Sequence, residues 1–294
     1  MNRARFVTTT AGLWAWSTGV GFAQRPAANR SLWVWQTPLD EAPAVAAFAT
    51  RYRFGSVFLS IPAADRAALA AGAANALQAL GALRNAGLQV YCVAGDPEWV
   101  KRRRDEPPET VRRLLGAHQA HGVFDGIALD VEPHTLPEWK DGSDKSALAE
   151  NYIAVLGLIR AAAAALGLPA LATVHPTYAK YSLPSGNGQT LLQSAARAVD
   201  ATDLMAYRNS EATLESFGGT AMEQLAGVGK PWWLGVSTHA NSPPGTSYAT
   251  LPAARFFAEI DATATELRQR FAGSFAGISV EDYRNTAALL GSST

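Results

Sequence analysis

Short apolar runs alternate with longer Ala- and Leu-rich segments along most of the chain. Short runs rich in Val, Ile, Leu, Tyr and Trp are typical of buried strands, and the Ala/Leu-rich segments favour helices. The pattern predicts eight strands, at 31–36, 56–61, 88–94, 124–132, 170–175, 203–207, 232–238 and 277–281. Helices are predicted between and after them, at 41–52, 65–85, 109–121, 145–166, 189–199, 210–226, 251–271 and 285–290.

This succession of strand–helix units predicts an α/β fold, a (β/α)8 TIM barrel formed as a single domain by residues 31–294. The alternative is an open doubly wound sheet, which normally carries a Gly-rich phosphate turn after an early strand. The first two predicted strands instead end in Gln36-Thr37-Pro38 and Ile61-Pro62-Ala63. The barrel is therefore favoured.

The N-terminus has the pattern of a targeting segment. Arg3 and Arg5 precede the apolar, acid-free run 6–22, and Gly21-Phe22-Ala23 is similar to a small-x-small cleavage site. We expect residues 1–23 to be a signal peptide and residues 24–30 a polar linker, with a secreted or periplasmic location; a disordered or helical N-terminus is the alternative. No later run is predicted to span a membrane.

The charge balance limits the classes of molecule that the chain is expected to bind, and the cysteine content limits its disulfide chemistry. Lys plus Arg and Asp plus Glu both number 25, so the chain has no basic footprint for nucleic acid or an anionic membrane. A neutral polysaccharide or oligosaccharide substrate fits better, and we expect a monomer. Cys92 is the only cysteine, which excludes an intrachain disulfide, and its apolar strand predicts a buried thiol rather than a nucleophile.

The fourth strand carries the strongest chemical signal. Ala128, Asp130 and Glu132 share one face because strand side chains repeat every two residues. Two neighbouring acids repel, so one pKa should rise, and the protonated group can donate to a leaving-group oxygen. We expect Glu132 to be the general acid and Asp130 to orient or stabilise. The alternative is a structural salt bridge, for example with Arg208.

Other polar and aromatic residues also follow strand ends, where a barrel keeps its chemistry. Such a mixture suits sugar recognition. The predicted substrate-binding residues are Trp35, Gln36, Asp96, His175, Tyr207, Arg208, Asn209 and His239. Trp33, Trp99 and Trp139 are further candidates for sugar stacking or for core packing, whereas Trp232 and Trp233 favour packing.

No cofactor or metal is predicted. A zinc site using His134, His175 and His239 is an alternative, and a metal-dependent hydrolase would use His175 and His239, but no close-spaced pair such as His-x-His supports it. His118 and His121 lie one turn apart on a predicted helix, where a solvated face is expected.

Residues 125–132 also carry a family resemblance. Asp125, Gly126, Asp130 and Glu132 match the Asp-Gly-x-Asp-x-Asp-x-Glu signature of family 18 glycoside hydrolases, the chitinase-like barrels, and Ala128 replaces the middle Asp. Met205-Ala206-Tyr207 resembles that family's Met-x-Tyr-Asp, with Arg208 in place of Asp, and Glu281 stands where the family usually has Trp. Met205 joins the predicted substrate-binding residues on this basis.

The resemblance implies a glycosidase with Glu132 as general acid. Asp130 would hold a substrate acetamido group that attacks the anomeric carbon, and Tyr207 would bind its oxygen. Ala128 removes part of the charge relay that this assistance uses, and Arg208 inverts a charge beside the site, so these departures favour a different sugar or linkage.

Two further hypotheses stay open. Glu281, across the barrel mouth, is a candidate catalytic partner of Glu132: carboxyl groups about 6.5–9.5 Å apart would favour inversion and about 5 Å a covalent intermediate. A surface salt bridge is the alternative role for Glu281. A catalytically inactive carbohydrate-binding barrel is the alternative to the enzyme.

The Asp-x-Glu pair is also similar to that of family 25 lysozymes, but their first-strand Asp is missing. The large clan of retaining barrels expects Asn at position 131 and Glu at the end of the seventh strand, and neither is present.

Overall fold

The computed structural model describes residues 30–292, which form one closed barrel of parallel strands in chain order. The strands are β1 (Arg30–Val34), β2 (Ser56–Leu59), β3 (Gln89–Ala94), β4 (Gly126–Leu129), β5 (Ala170–Val174), β6 (Ala201–Leu204), β7 (Trp232–Ser237) and β8 (Phe275–Glu281). β8 closes the barrel by pairing with β1. The predicted (β/α)8 fold is therefore confirmed.

The predicted signal peptide, residues 1–23, lies outside the described residues. The predicted linker does so as well, except for Arg30, which begins β1 and pairs with Ile278 of β8.

Helices follow the strands around the barrel. They are α1 (Ala42–Arg51), α2 (Ala63–Ala70), α3 (Ala74–Asn85), α4 (Glu109–His121), α5 (Pro137–Lys140), α6 (Lys145–Ala164), α7 (Leu191–Ala198), α8 (Glu211–Val228), α9 (Ala253–Arg270) and α10 (Tyr283–Leu289). The single helix predicted at 65–85 is wrong, because the chain forms two helices there. Gly72 has a φ of +71°, a left-handed backbone that ends the first of them.

Alternate strand residues fill the inside of the barrel. This inner cluster consists of Trp33, Phe58, Tyr91, Val93, Ala128, Leu171 and Ala201, with Trp35 and Trp233 packed against it. Gly126 shows how tightly the layer is packed: a Cβ atom there would lie 2.3 Å from the Tyr91 ring. The other strand face, including Leu32, Val57 and Ile127, is fully buried under the helices. Burial on both faces explains why the strands are continuously apolar in sequence.

α6 is the one helix among the described residues with the length and composition of a membrane span. The sequence had predicted no such run after the leader. In the structure, Leu148, Tyr152, Leu156 and Ile159 of α6 are buried in the barrel's core. Helices in the cores of barrels are often as long and as apolar as this one, so the length and composition of α6 alone give little support for a membrane location.

Candidate active site

The acid pair lies just beyond β4. The strand was predicted to include Asp130 and Glu132 but ends at Leu129, so both follow it at its carboxyl end. The backbone N–H of Asp130 still donates to the Ala94 carbonyl at 3.0 Å, which holds this turn against β3. Gly95 makes that approach feasible, because a Cβ atom there would lie 1.9 Å from the Asp130 carbonyl oxygen.

Asp130 is held by the neighbouring strand. The Thr173 hydroxyl, in β5, donates a 2.8 Å hydrogen bond to Oδ1 of Asp130. Burial raises the pKa of Asp130 above its usual value, and the hydrogen bond from Thr173 opposes that shift. The pair therefore fixes the orientation of the carboxyl group beneath the mouth of the barrel.

Glu132 lies on the wall of a cavity of about 310 Å³, at the lower end of the range for small-molecule sites. Burial, followed by the negative charges of Asp130 and Glu281, raises the pKa of Glu132 to about 7. Within residues 30–292, no hydrogen bond to the Glu132 carboxyl group is found. A carboxylic acid that keeps its proton near neutral pH and is free of protein partners can donate to a bound ligand.

Glu281 forms a third carboxyl group at the end of β8. Burial raises its pKa above the usual value, while the Tyr207 hydroxyl and then His239 lower it. Nε2 of His239 lies 3.8 Å from Oε1 of Glu281 and 3.2 Å from Oδ2 of Asp282. Burial also raises the pKa of Tyr207, so its hydroxyl keeps its proton over the whole neutral range.

Two histidines and an arginine form another wall of the cavity. The rings of His134 and His175 stack with centroids 4.4 Å apart. Burial lowers the pKa of each histidine to about 4. The next largest cause of the lowering is the charge interaction with His175 for His134, and with Arg208 for His175. The guanidinium of Arg208 lies 3.7 Å from the centre of the Phe217 ring. At neutral pH the histidines are therefore uncharged, and the wall carries one fixed positive charge.

Asn209 connects this region to the loop after β7. Its side-chain amide donates to the Ser247 carbonyl at 2.7 Å, and its backbone N–H donates to the Gly245 carbonyl at 3.1 Å. Residues of the same loop, Ser242 and Thr246 among them, line the cavity. Asn209 thus positions one wall without lining the cavity itself.

The structure brings five of the predicted residues to this cavity and leaves the others around or away from it. Those that line it are Glu132, His175, Met205, Tyr207 and Arg208, and the remaining lining residues are His134, Phe217, Ser237, Ser242, Pro243 and Thr246. Four other predicted residues lie outside the lining. Asp130 and Glu281 raise the pKa of Glu132, His239 contacts Glu281, and Asn209 holds the loop after β7.

Three predicted binding residues have other partners. Trp35 is partly exposed and stacks on Trp33 with ring centroids 5.1 Å apart. Gln36, with a φ of 45°, donates from its side-chain amide to the Ser60 hydroxyl at 2.7 Å. Asp96 is exposed, and its Oδ1 accepts the Glu98 backbone N–H at 2.8 Å, so it caps a short 3-10 helix.

The other tryptophans proposed as sugar platforms are packed inside the protein. Trp33, Trp99 and Trp139 are each less than a tenth exposed. Trp232 is fully buried, in agreement with its predicted packing role. Trp35 is therefore the member of the predicted platform set with a partly open ring.

The histidines do not converge on one point. His175 stacks on His134 in the cavity, whereas His239 contacts the two acids at the end of β8. Among the residues that the structure describes, no group of three or more His, Cys, Asp or Glu side chains is arranged to hold a metal ion. His118 accepts the Phe124 N–H at 3.2 Å and is partly buried, while His121 is exposed.

Asp203 of β6 is a buried acid that the sequence analysis had treated only as part of a strand. Its Oδ2 accepts hydrogen bonds from the Ser279 hydroxyl at 2.6 Å and from Nε1 of Trp33 at 3.0 Å. Burial raises the pKa of Asp203 to about 6, although both hydrogen bonds lower it. A charged residue inside an otherwise apolar strand is the signal that could have identified it.

The start of the acid motif has a structural explanation in this chain. Oδ2 of Asp125 accepts the Val90 backbone N–H at 2.9 Å, and the Asp125 backbone N–H donates back to the Val90 carbonyl at 2.8 Å. These bonds fix the start of β4 against β3. Ala128 is fully buried in the inner cluster of the barrel, so its methyl group occupies an apolar position.

Comparison with solved structures places the fold among chitinase-like barrels. The C-terminal domain of a putative chitinase from Desulfitobacterium hafniense DCB-2 aligns with a TM-score of 0.53 and 14% identity, over 90% of this chain and 97% of that one. A chitinase from Chromobacterium violaceum ATCC 12472 aligns with a TM-score of 0.51 and 13% identity, over 90% and 98%. The PgaB glycoside hydrolase domain from Bordetella bronchiseptica aligns at 0.50 and 11%, over 88% and 95%.

These identities are low, so the likeness is one of fold, and the chain is divergent. No protein-family model matches the sequence, and no curated protein matches it. The resemblance to chitinase-like barrels, first indicated by residues 125–132, is confirmed at the level of the fold.

Proposed function

We propose that the protein is a glycoside hydrolase that cleaves a polysaccharide, with Glu132 as its general acid. The observation that carries the proposal is a partner-free carboxyl group on a cavity wall whose pKa burial and two neighbouring acids raise to about 7. Such a group is mostly protonated below pH 7 and about half protonated at pH 7, and in its protonated form it can donate to a leaving-group oxygen. The description of fold neighbours as chitinases and as a glycoside hydrolase domain supports the same reaction class.

Two roles complete the proposal. Asp130, oriented by Thr173, stabilises positive charge developing at the sugar or holds a substrate group that attacks the anomeric carbon. Glu281 is the alternative partner and would activate water in an inverting reaction. The stereochemistry of the first product tests the water-activating role: inversion supports Glu281 as the base, whereas retention excludes that role and fits either Asp130 together with Tyr207 or a covalent intermediate on Glu281.

The test is hydrolysis of a panel of soluble polysaccharides by the wild type and by Glu132→Gln, followed by reducing-end release. General acid catalysis typically contributes about 100- to 10,000-fold, so the variant should lose at least about 100-fold in kcat/KM while remaining folded. Glu266→Gln, the same change at an exposed position of α9, is the control. Full activity of Glu132→Gln would refute the assignment. Binding of glycans by the wild type without any hydrolysis would favour the inactive carbohydrate-binding barrel.

We further propose that residues 1–23 direct export and are removed. Mass spectrometry of the protein recovered from an export-competent host should show a chain that begins near Gln24. Recovery of the intact chain, including Met1, would contradict this proposal.

A further inference from the structure

Arg208 occupies an unusual electrostatic position. It is the cationic residue of the cavity lining, where its neighbours His134 and His175 are held neutral at pH 7. Within residues 30–292 it forms no ion pair with a carboxylate. An arginine kept at the edge of a ligand-sized cavity without an acidic partner is available to a ligand of opposite charge.

The guanidinium group is also held in one orientation. Its face lies on the Phe217 ring, with 3.7 Å between Cζ and the ring centre, and Nη1 donates to the Tyr207 carbonyl at 2.6 Å. Nε and Nη2 donate no hydrogen bond to the residues that the structure describes. The edge formed by these two nitrogens is the side of a guanidinium group that binds a carboxylate through two parallel hydrogen bonds.

The acid in the same lining, Glu132, repels an anion only weakly when it is protonated. The pKa of Glu132 is about 7, so the group is mostly protonated in mildly acidic solution and about half ionised at pH 7. Ser237 and Thr246 supply neutral hydroxyl groups to the same lining. Among the residues that line the cavity, Arg208 therefore supplies the positive charge that an anionic ligand would meet, whereas the carboxyl groups of Asp130 and Glu281 lie outside the lining.

We infer that the cavity binds an acidic sugar, with Arg208 recognising the carboxylate of a uronic acid residue next to the bond that is cleaved. The inference rests on the proposed glycoside hydrolase function and names its substrate class. A sulfate ester presents similar paired oxygens, so the experiment includes it as a separate arm. Arg208 is then the residue that selects acidic over neutral polysaccharides.

The test measures binding in the Glu132→Gln background, where turnover does not interfere. Calorimetric titrations at pH 6.5 would use methyl glucuronide, the neutral methyl glucoside and glucose 6-sulfate. We expect the glucuronide to bind at least about 10-fold more tightly than the glucoside, because charge-assisted hydrogen bonds are roughly twice as strong as neutral ones. Arg208→Gln should abolish that preference. Arg208→Lys should retain only part of it, because an ammonium group lacks the fork.

Arg103→Gln is the matched control, because it removes the same charge from an exposed site in the loop after β3; it should leave the preference intact. Tighter binding of the sulfate than of the glucuronide would assign the site to sulfated sugars and overturn the uronic acid inference. Equal affinities for glucuronide and glucoside, or a preference that survives Arg208→Gln in a folded protein, would overturn it as well. Hydrolysis of neutral glycans with no acidic preference would leave the proposed function standing and remove only this inference. Glucuronide selectivity without hydrolysis of any glycan would support recognition of acidic sugars by Arg208 and remove the proposed glycoside hydrolase function.

Discussion

Replacing Glu132 by Gln should make the protein more stable at alkaline pH while removing the proposed activity. The wild-type carboxyl group has a pKa of about 7 in the folded protein, against its usual value of 4.5. At about 1.4 kcal/mol per pH unit, this difference corresponds to about 3 kcal/mol. The glutamine amide of the variant would mimic the protonated group at every pH and so would avoid the cost of a buried charge.

The sign of the effect follows from where the proton is held. Below pH 4.5 the group is protonated in both the folded and unfolded states, so its contribution to the stability of the wild type is fully present. Between pH 4.5 and about 7 the unfolded state ionises first, and that contribution is progressively lost. The variant and the wild type should therefore have similar free energies of unfolding at pH 4.5. At pH 8 the variant should be more stable by about 2–3 kcal/mol.

Urea unfolding followed by tryptophan fluorescence measures this difference at pH 4.5, 6, 7 and 8. The exposed Glu266→Gln variant is the control, and its free energy of unfolding should stay within about 0.5 kcal/mol of the wild type throughout. A difference between Glu132→Gln and the wild type that does not grow with pH would refute the reasoning. Glu132 would then titrate normally and would be a poor general acid at neutral pH.

Three other changes test how the site is assembled. Thr173→Val removes the 2.8 Å hydrogen bond to Asp130 with little change in volume, and should lower kcat/KM about 10-fold in a hydrolysis assay, whereas unchanged kinetics would deny the positioning role. Gly95→Ala places a Cβ atom where the Asp130 carbonyl lies, and should reduce the free energy of unfolding in urea by about 1–3 kcal/mol. Asn209→Ala releases the bond to the Ser247 carbonyl, and should raise KM several-fold with a smaller effect on kcat.

The sequence predicts the barrel well because the strand signal is strong and repeated. Strands buried on both faces read as short apolar runs, and their order around the barrel follows the order in the chain. The same reasoning places acids and aromatics at the mouth, because the carboxyl ends of all strands meet there. Glu132, Tyr207 and His175 reach the cavity for this reason.

Local capping and loop paths explain what the sequence did not predict. Asp96 follows a strand, but Asp96-Pro97-Glu98 is also a helix-start pattern, and the side chain caps that turn. Phe217 reaches the cavity from the middle of α8, and Thr246 reaches it from a long loop held by Asn209. Their approach depends on contacts between segments distant in sequence, which periodicity does not encode.

The environment of each acid explains why Glu132, rather than its neighbours, should carry the proton in the reaction. Asp130 is also buried, but the Thr173 hydroxyl stabilises its charged form. Glu281 is buried as well, and Tyr207 is the first of the groups that lower its pKa. The causes that act on Glu132 are burial and two acidic neighbours, and all of them raise its pKa. Burial therefore raises the pKa of all three acids, but Glu132 is the one without a group that favours its charged form, which suits it to donate the proton in acid-catalysed cleavage of a glycosidic bond.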